Sequence, residues 1–218
     1  MKPVRILLAD DHPLVVNGIR GLLASRYELV GSADNGRSLV DAALRLVPDV
    51  VILDISMPIL NGIDAGREIK KRLPATKLVF LTMHINAVYL RKAMEAGASA
   101  YLLKSGASEE LLTALDAVRG GSSYVSSSFG LEVRETVQQA AAKSSRSIVE
   151  LTGRQRQILQ LVAEGRQSKD IAEILRVSLK TVEFHRSRLL AKLGARTVAE
   201  LTRLAVEEGL IGIHDGPR

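Results

Sequence analysis

Three aspartates, a threonine and a lysine stand at the ends of four short aliphatic runs: VRILLADD ends in Asp10 and Asp11, DVVILD in Asp54, KLVFLT in Thr82 and SAYLLK in Lys104. Runs of four to six branched aliphatic residues flanked by turn signals read as buried strands of a parallel sheet. In open α/β sheets ligands gather at the carboxyl ends of the strands, so the five side chains are expected to converge. Three carboxylates that meet repel one another unless a cation sits among them. An all-oxygen set with room for waters suits Mg2+. With one carboxylate as nucleophile toward a phosphoryl group, the cation also neutralises phosphate oxygens. Lys104 then pairs with the phosphate, and Thr82 hydrogen-bonds an equatorial oxygen. Singly, each residue has an ordinary alternative: Asp10 and Asp11 as helix caps, Asp54 as a turn residue. All five at successive strand ends favour one site.

The elements that must position them alternate. Strands are expected over 5–9, 27–32, 50–53, 77–82 and 100–103, with amphipathic helices near 13–25, 36–46, 62–72, 87–96 and 109–119. This alternation predicts a five-stranded, parallel, doubly wound sheet over 4–119. GGSSYVSSSFG (120–130) is a Gly/Ser-rich break where few contacts are expected, LEVRETVQQAAAK (131–143) suits a linker helix, and KSSRS (143–147) loosens again. Residues 148–212 carry no strand signal and read as four short helices. The fold class is therefore α/β then all-α, two domains joined by a flexible segment at 120–147.

Composition narrows the chemistry. Of 218 residues 46% are hydrophobic and 3% aromatic, with no tryptophan, so the core is aliphatic. The absence of cysteine excludes disulfides, thiolate catalysis and cysteine-ligated zinc. His12, His84, His185 and His214 lack the paired helical spacing of a metal site. No run approaches the ~18 apolar residues of a membrane span, and no signal-peptide pattern is present, so a cytoplasmic protein without membrane association is expected. The net charge of +6 is uneven. Residues 168–196 hold 7 Lys/Arg against 3 Asp/Glu, a local excess that suggests phosphate contacts.

Residues 4–119 resemble the receiver domain of two-component response regulators, whose flavodoxin-like fold matches the expected sheet. DISMPILNG (54–62) fits the family's D-x-x-M-P-x-x-x-G around its phosphoacceptor. The resemblance implies that Asp54 is phosphorylated by a sensor histidine kinase. It implies that Asp11 and Asp54 ligate Mg2+ through carboxylates and Ser56 through its backbone carbonyl, with Asp10 holding a metal-bound water. It makes Thr82 the switch hydroxyl, Lys104 the phosphate partner and Tyr101 the switch aromatic, where the ordinary alternative is a half-buried strand tyrosine. Many receivers follow the lysine with a cis proline; here Ser105 follows, which leaves the 104–105 peptide geometry open.

SKDIAEILRVSLKTVEFHRS (168–187) has the helix-turn-helix pattern. Ile171, Ala172 and Leu175 form the apolar stripe of the first helix, and Val177 enters the turn. Ser178 caps the second helix, whose Val182, Leu189 and Leu193 face the core. Lys180, Thr181, Glu183, Phe184, Ser187, Arg188 and Lys192 then line the opposite face, able to enter a major groove. Ser168, Lys169 and His185 complete the candidate DNA-binding set. Lys180 and Arg188 would position phosphates, and Glu183 would accept from a cytosine amino group. LTGRQRQILQLVAEG, IAEIL and KTVEFHRSRLLAKLG resemble the LuxR-type output domain of the NarL/FixJ subfamily. Two residues depart from that pattern: Gly153 where proline is usual, and Arg176 where the turn often has glycine. A left-handed Arg176 costs roughly 1 kcal/mol. TVAELTRLAVEEGL (197–210) is a fourth amphipathic helix, with Val198, Leu201 and Ala205 as core or dimer surface.

Together these features imply a transcriptional regulator that is not an enzyme. It would bind double-stranded, near-palindromic DNA as a homodimer when phosphorylated, with the unphosphorylated receiver masking the output. A phosphorylation-independent dimerisation scaffold, a protein-binding output and an aspartyl-phosphate phosphatase are the alternatives. The last normally needs a second aspartate two residues on, where this chain has Ser56.

Overall fold

The computed structural model describes residues 3–83, 85–130 and 151–211. The expected helix at 131–143, most of the linker, His84 and His214 lie outside the described residues. The chain divides into two compact units.

In the first unit the elements run β1 (Arg5–Ala9), α1 (Pro13–Leu23), β2 (Glu28–Ala33), α2 (Gly36–Leu46), β3 (Val50–Asp54) and α3 (Gly62–Arg72). They continue through β4 (Lys77–Thr82), α4 (Ala87–Glu95), β5 (Ala98–Leu103), a 3-10 turn (Lys104–Gly106), α5 (Ala107–Arg119) and β6 (Tyr124–Val125). The sheet order is β2-β1-β3-β4-β5-β6, and every pairing is parallel. The strand order reverses between β1 and β3, which opens the crevice at their carboxyl ends where Asp10, Asp11 and Asp54 fall. β3 is buried along its whole length, as expected of a strand covered on both faces. Ile6, Leu8, Ile52, Val79, Leu81 and Leu102 pack one face against Leu23, Leu111 and Leu115 of the helices.

The sheet has six strands where five were expected. Tyr124 and Val125 pair with Ala100 and Tyr101, and the Ser126 N–H donates to the Tyr101 carbonyl at 2.9 Å. Gly121, at φ +86°, turns the chain back along β5. Ser126 and Phe129 are fully buried, so the Gly/Ser-rich stretch 120–130 is packed where few contacts were expected. A two-residue strand among serines is too short to show a period of two.

Gly62 answers to a close backbone approach. A Cβ there would lie 1.9 Å from the Asp54 carbonyl oxygen, and the Gly62 N–H donates to Ile55 O at 2.8 Å. The glycine of the D-x-x-M-P-x-x-x-G string thus lets α3 begin directly beneath the strand end that carries Asp54.

The second unit contains α6 (Gly153–Ala163), α7 (Ser168–Leu175), α8 (Leu179–Leu193) and α9 (Val198–Glu207), the four expected helices. Ile158, Leu161, Ile171, Val182, Leu189 and Leu201 form its core, with Leu193 half-buried at the edge. Thr152 and Gln155 form a reciprocal capping box around α6, which starts cleanly at Gly153 without the usual proline. Arg176 adopts the left-handed conformation, φ 51°, as the turn demands. The Val177 N–H donates back to Ala172 O at 2.9 Å, satisfying a helix-end carbonyl. Of the three α9 residues left open between core and dimer surface, Leu201 and Ala205 are core and Val198 is exposed.

Candidate functional site

Four of the five strand-end residues meet, Asp10, Asp11, Asp54 and Lys104, and Thr82 ends the neighbouring strand β4. Lys104 lies just past β5 with its side chain 4% exposed, and its Nζ forms ion pairs with Asp10 Oδ2 at 2.8 Å and Asp54 Oδ2 at 2.9 Å. Asp10, Asp54 and Thr82 are all buried, while Asp11 is half-buried beside them. The helix-cap alternative for the first pair is not realised. The N-cap of α1 is His12, and Asp10 Oδ1 instead accepts the His12 N–H at 2.9 Å in a local turn.

Burial is the largest influence on Asp54 and raises its pKa above the usual carboxylate range; Asp10 pushes the same way, while Lys104 and the Ser56 N–H oppose. On Lys104 burial pushes downward, yet Asp54 and Asp10 together leave its pKa raised. Lys104 is thus held charged between two carboxylates that water barely reaches. Three carboxylates against one ammonium leave two negative charges, the deficit that one divalent cation fills. Ligand atoms of Asp10, Asp11, His12 and Asp54 all lie within 4.8 Å of one another. The oxygen donors suit a hard cation such as Mg2+. His12, whose Nδ1 lies 2.8 Å from Asp11 Oδ1, was not foreseen as part of this group, although it directly follows the aspartate pair.

Tyr101 is fully buried on β5, and not half-buried as a typical strand tyrosine would be. Burial raises its pKa, and among the described residues its hydroxyl has no hydrogen-bond partner. The Phe129 ring packs edge-on against it, centroids 5.1 Å apart. Nothing in the sequence marked Phe129, because its neighbours read as loop. Ser56 lies two residues beyond Asp54 and donates its N–H to that carboxylate. The described peptide bonds are all trans, Lys104–Ser105 among them.

The second candidate surface is α8 with the turn before it. Ser178 caps α8, its Oγ accepting the Thr181 N–H at 3.1 Å and bonding Thr181 Oγ1 at 2.8 Å. Lys180, Glu183, Phe184, Ser187, Arg188 and Lys192 are exposed, as is Lys169 on α7; Thr181, His185 and Ser168 are half-buried. Arg186, which pattern reading passed over, hydrogen-bonds the Ser168 hydroxyl and so ties the start of α7 to α8. The Arg188 guanidinium sits over the Phe184 ring, 4.8 Å from its centroid. No described helix is long and apolar enough to cross a membrane.

Comparisons with known proteins bear on both sites. Residues 6–116 match the family described as the response regulator receiver domain, and residues 149–205 match bacterial regulatory proteins of the luxR family. The transcriptional regulatory protein MctR of Rhizobium johnstonii is 36% identical over 95% of each chain. The response regulator UvrY of Escherichia coli is 34% identical over 95% of each. Among solved structures, the response regulator RcsB of Salmonella typhimurium, studied for its DNA interaction, superposes with a TM-score of 0.62 at 28% identity, covering 95% of this chain and 99% of that one. RcsB has also been solved as two dimers bound to DNA, with a TM-score of 0.57 at 27% identity and the same coverage.

Proposed function

The chain belongs to the two-component response regulators that join a receiver to a LuxR-type helix-turn-helix output, and from that premise we propose that Asp54 accepts the phosphoryl group that switches the output on DNA. The protein is a phosphorylation-dependent, DNA-binding transcriptional regulator. One observation carries the residue assignment: Lys104 bridges Asp10 and Asp54 at the ends of three strands.

In this reading an Asp54 carboxylate oxygen attacks phosphorus on the phosphohistidine of a sensor kinase. The new O–P bond forms as the P–N bond breaks, and the departing imidazole takes a proton. Asp11 and Asp54, with the Ser56 carbonyl and Asp10, would hold Mg2+. When bound, the cation supplies positive charge that offsets the phosphoryl oxygens. Lys104, already beside Asp54, pairs with the phosphate, and Thr82 donates its hydroxyl to a phosphoryl oxygen. Tyr101, whose hydroxyl has no hydrogen-bond partner among the described residues, would follow Thr82. The output then docks α8 in the major groove of a near-palindromic operator, with exposed Val198 of α9 at the homodimer contact. A kinase and DNA as partners both favour a cytoplasmic location.

The test uses full-length protein, a small phosphodonor such as acetyl phosphate, and Mg2+. Phosphate-affinity electrophoresis should show one retarded species that Asp54→Asn abolishes. DNA fragments selected by the phosphorylated protein should bind it more tightly than they bind Asp54→Asn. Labelling that survives Asp54→Asn, or equal DNA affinity of the two, defeats the proposal.

A further inference from the structure

The chain has three phenylalanines. Phe80 and Phe129 are fully buried, whereas Phe184 is 54% exposed in the middle of α8. Among the described residues of the helical unit, the aromatic and cationic groups against its ring are the Arg188 guanidinium and the edge of His185, centroids 5.6 Å apart. A lone exposed ring is ordinary, but this one is capped by a guanidinium, so what matters is the charged row it sits in. Lys180 lies one turn before Phe184 and Arg188 one turn after it, so the three form a stripe of cation, ring and cation along one helix face. Protein-binding patches are depleted of charge at their centre, and this one is flanked by it. The surface suits a polyanion that also offers one small apolar feature. In the major groove of DNA, that feature is the 5-methyl group of thymine. An intact duplex hides its base faces, so a ring entering the groove meets base edges, not stacks.

Resting on the DNA-binding reading above, we propose that Phe184, steadied by Arg188, is the specificity element that recognises a thymine methyl in each operator half-site. Lys180 and Arg188 hold the phosphates on either side of the contacted base. Neighbouring Glu183 repels the acceptor atoms of guanine and of thymine O4. It thereby favours an exposed amino group beside the contacted thymine.

The experiment selects DNA bound by phosphorylated full-length protein, then replaces each thymine of the selected half-site with deoxyuridine in turn. One position should weaken binding about fourfold per half-site, the worth of burying a single methyl group. Phe184→Ala should bind thymine and deoxyuridine equally at that position, while Phe184→Leu keeps part of the preference. If no replacement weakens the wild-type complex, or if Phe184→Ala keeps the full preference, the assignment of Phe184 is overturned while DNA binding stands. Failure to select any DNA sequence overturns the DNA-binding reading itself, and this inference with it.

Discussion

Replacing Lys104 with methionine keeps an unbranched side chain one atom shorter and removes its charge, leaving Asp10 and Asp54 buried without the ammonium they share. Stripping one partner from a buried ion pair typically costs about 3–5 kcal/mol. A ceiling also applies, because a carboxylate that is too costly to keep charged takes up a proton instead. Against an unfolded carboxyl pKa of about 3.9, that proton costs about 4 kcal/mol at pH 7 and about 1.5 kcal/mol at pH 5. Asp54 is the group that takes it, since burial already raises its pKa. The folded state therefore binds the proton more tightly than the unfolded state. The strain of the charged form is present at neutral pH and is relieved as pH falls through the raised value toward the unfolded one. The expected destabilisation by Lys104→Met is thus about 3–4 kcal/mol at pH 7 and about 1–1.5 kcal/mol at pH 5, without divalent cation. Urea unfolding followed by tyrosine fluorescence measures it cleanly. The four tyrosines (Tyr27, Tyr89, Tyr101 and Tyr124) all belong to the first unit, and the chain has no tryptophan. Equal destabilisation at the two pH values would refute the reasoning, as would a value at pH 7 below about 1 kcal/mol. In an Asp54→Asn background the same substitution should cost much less.

Gly62→Ala forces a methyl against the Asp54 carbonyl and should lower receiver stability by at least about 1–3 kcal/mol, read as a fall in thermal midpoint together with slower Asp54 phosphorylation. Phe129→Ala empties a fully buried ring site against Tyr101 and should cost about 3–5 kcal/mol by the same tyrosine signal; a change under about 1 kcal/mol would mean that 120–130 is not packed in solution. Lys180→Ala and Arg188→Ala should each flatten the dependence of log DNA affinity on log salt by about 1 per half-site, about 2 for a dimer on both, measured on selected DNA; an unchanged slope would remove them from the phosphate set.

How legible the molecule was depends on how local each signal is. The strands carrying Asp54 and Thr82 are buried on both faces, so their aliphatic runs stand out without any partner being known. The two ends of the acidic site were legible for the same reason. β6 and Phe129 were not, because Tyr124–Val125 becomes a strand only through pairing with Ala100 and Tyr101, more than twenty residues away. Arg186 escaped notice because its role depends on meeting Ser168 across the turn, and a helical pattern assigns faces without naming neighbours. At Arg176 the turn keeps the left-handed geometry the pattern implies, φ 51°, with arginine in place of glycine. The Val177 N–H and the packed α7–α8 pair hold it there.

Magnitudes also say what the receiver has to deliver. Turning a population from about 1% to about 99% active needs about 5.5 kcal/mol of differential stabilisation. Phosphorylation of Asp54 would offer two new charge-assisted hydrogen bonds, from Lys104 and Thr82, each worth about 1.5–3 kcal/mol. Their sum, about 3–6 kcal/mol, is an upper figure, because Lys104 gives up part of its present bond to Asp54 in making them. The receiver alone therefore sits near or below the requirement. A dimer on a two-half-site operator would close the gap, since tethering the second half-site adds affinity without any new receiver interaction. On this arithmetic, variants with a weakened dimer surface, Val198→Asp for instance, should still take phosphate at Asp54. They should lose most of the difference in DNA affinity between the phosphorylated and unphosphorylated forms. A Val198→Asp protein whose phosphorylation still shifted DNA binding by the full wild-type factor would place the whole switch inside the receiver.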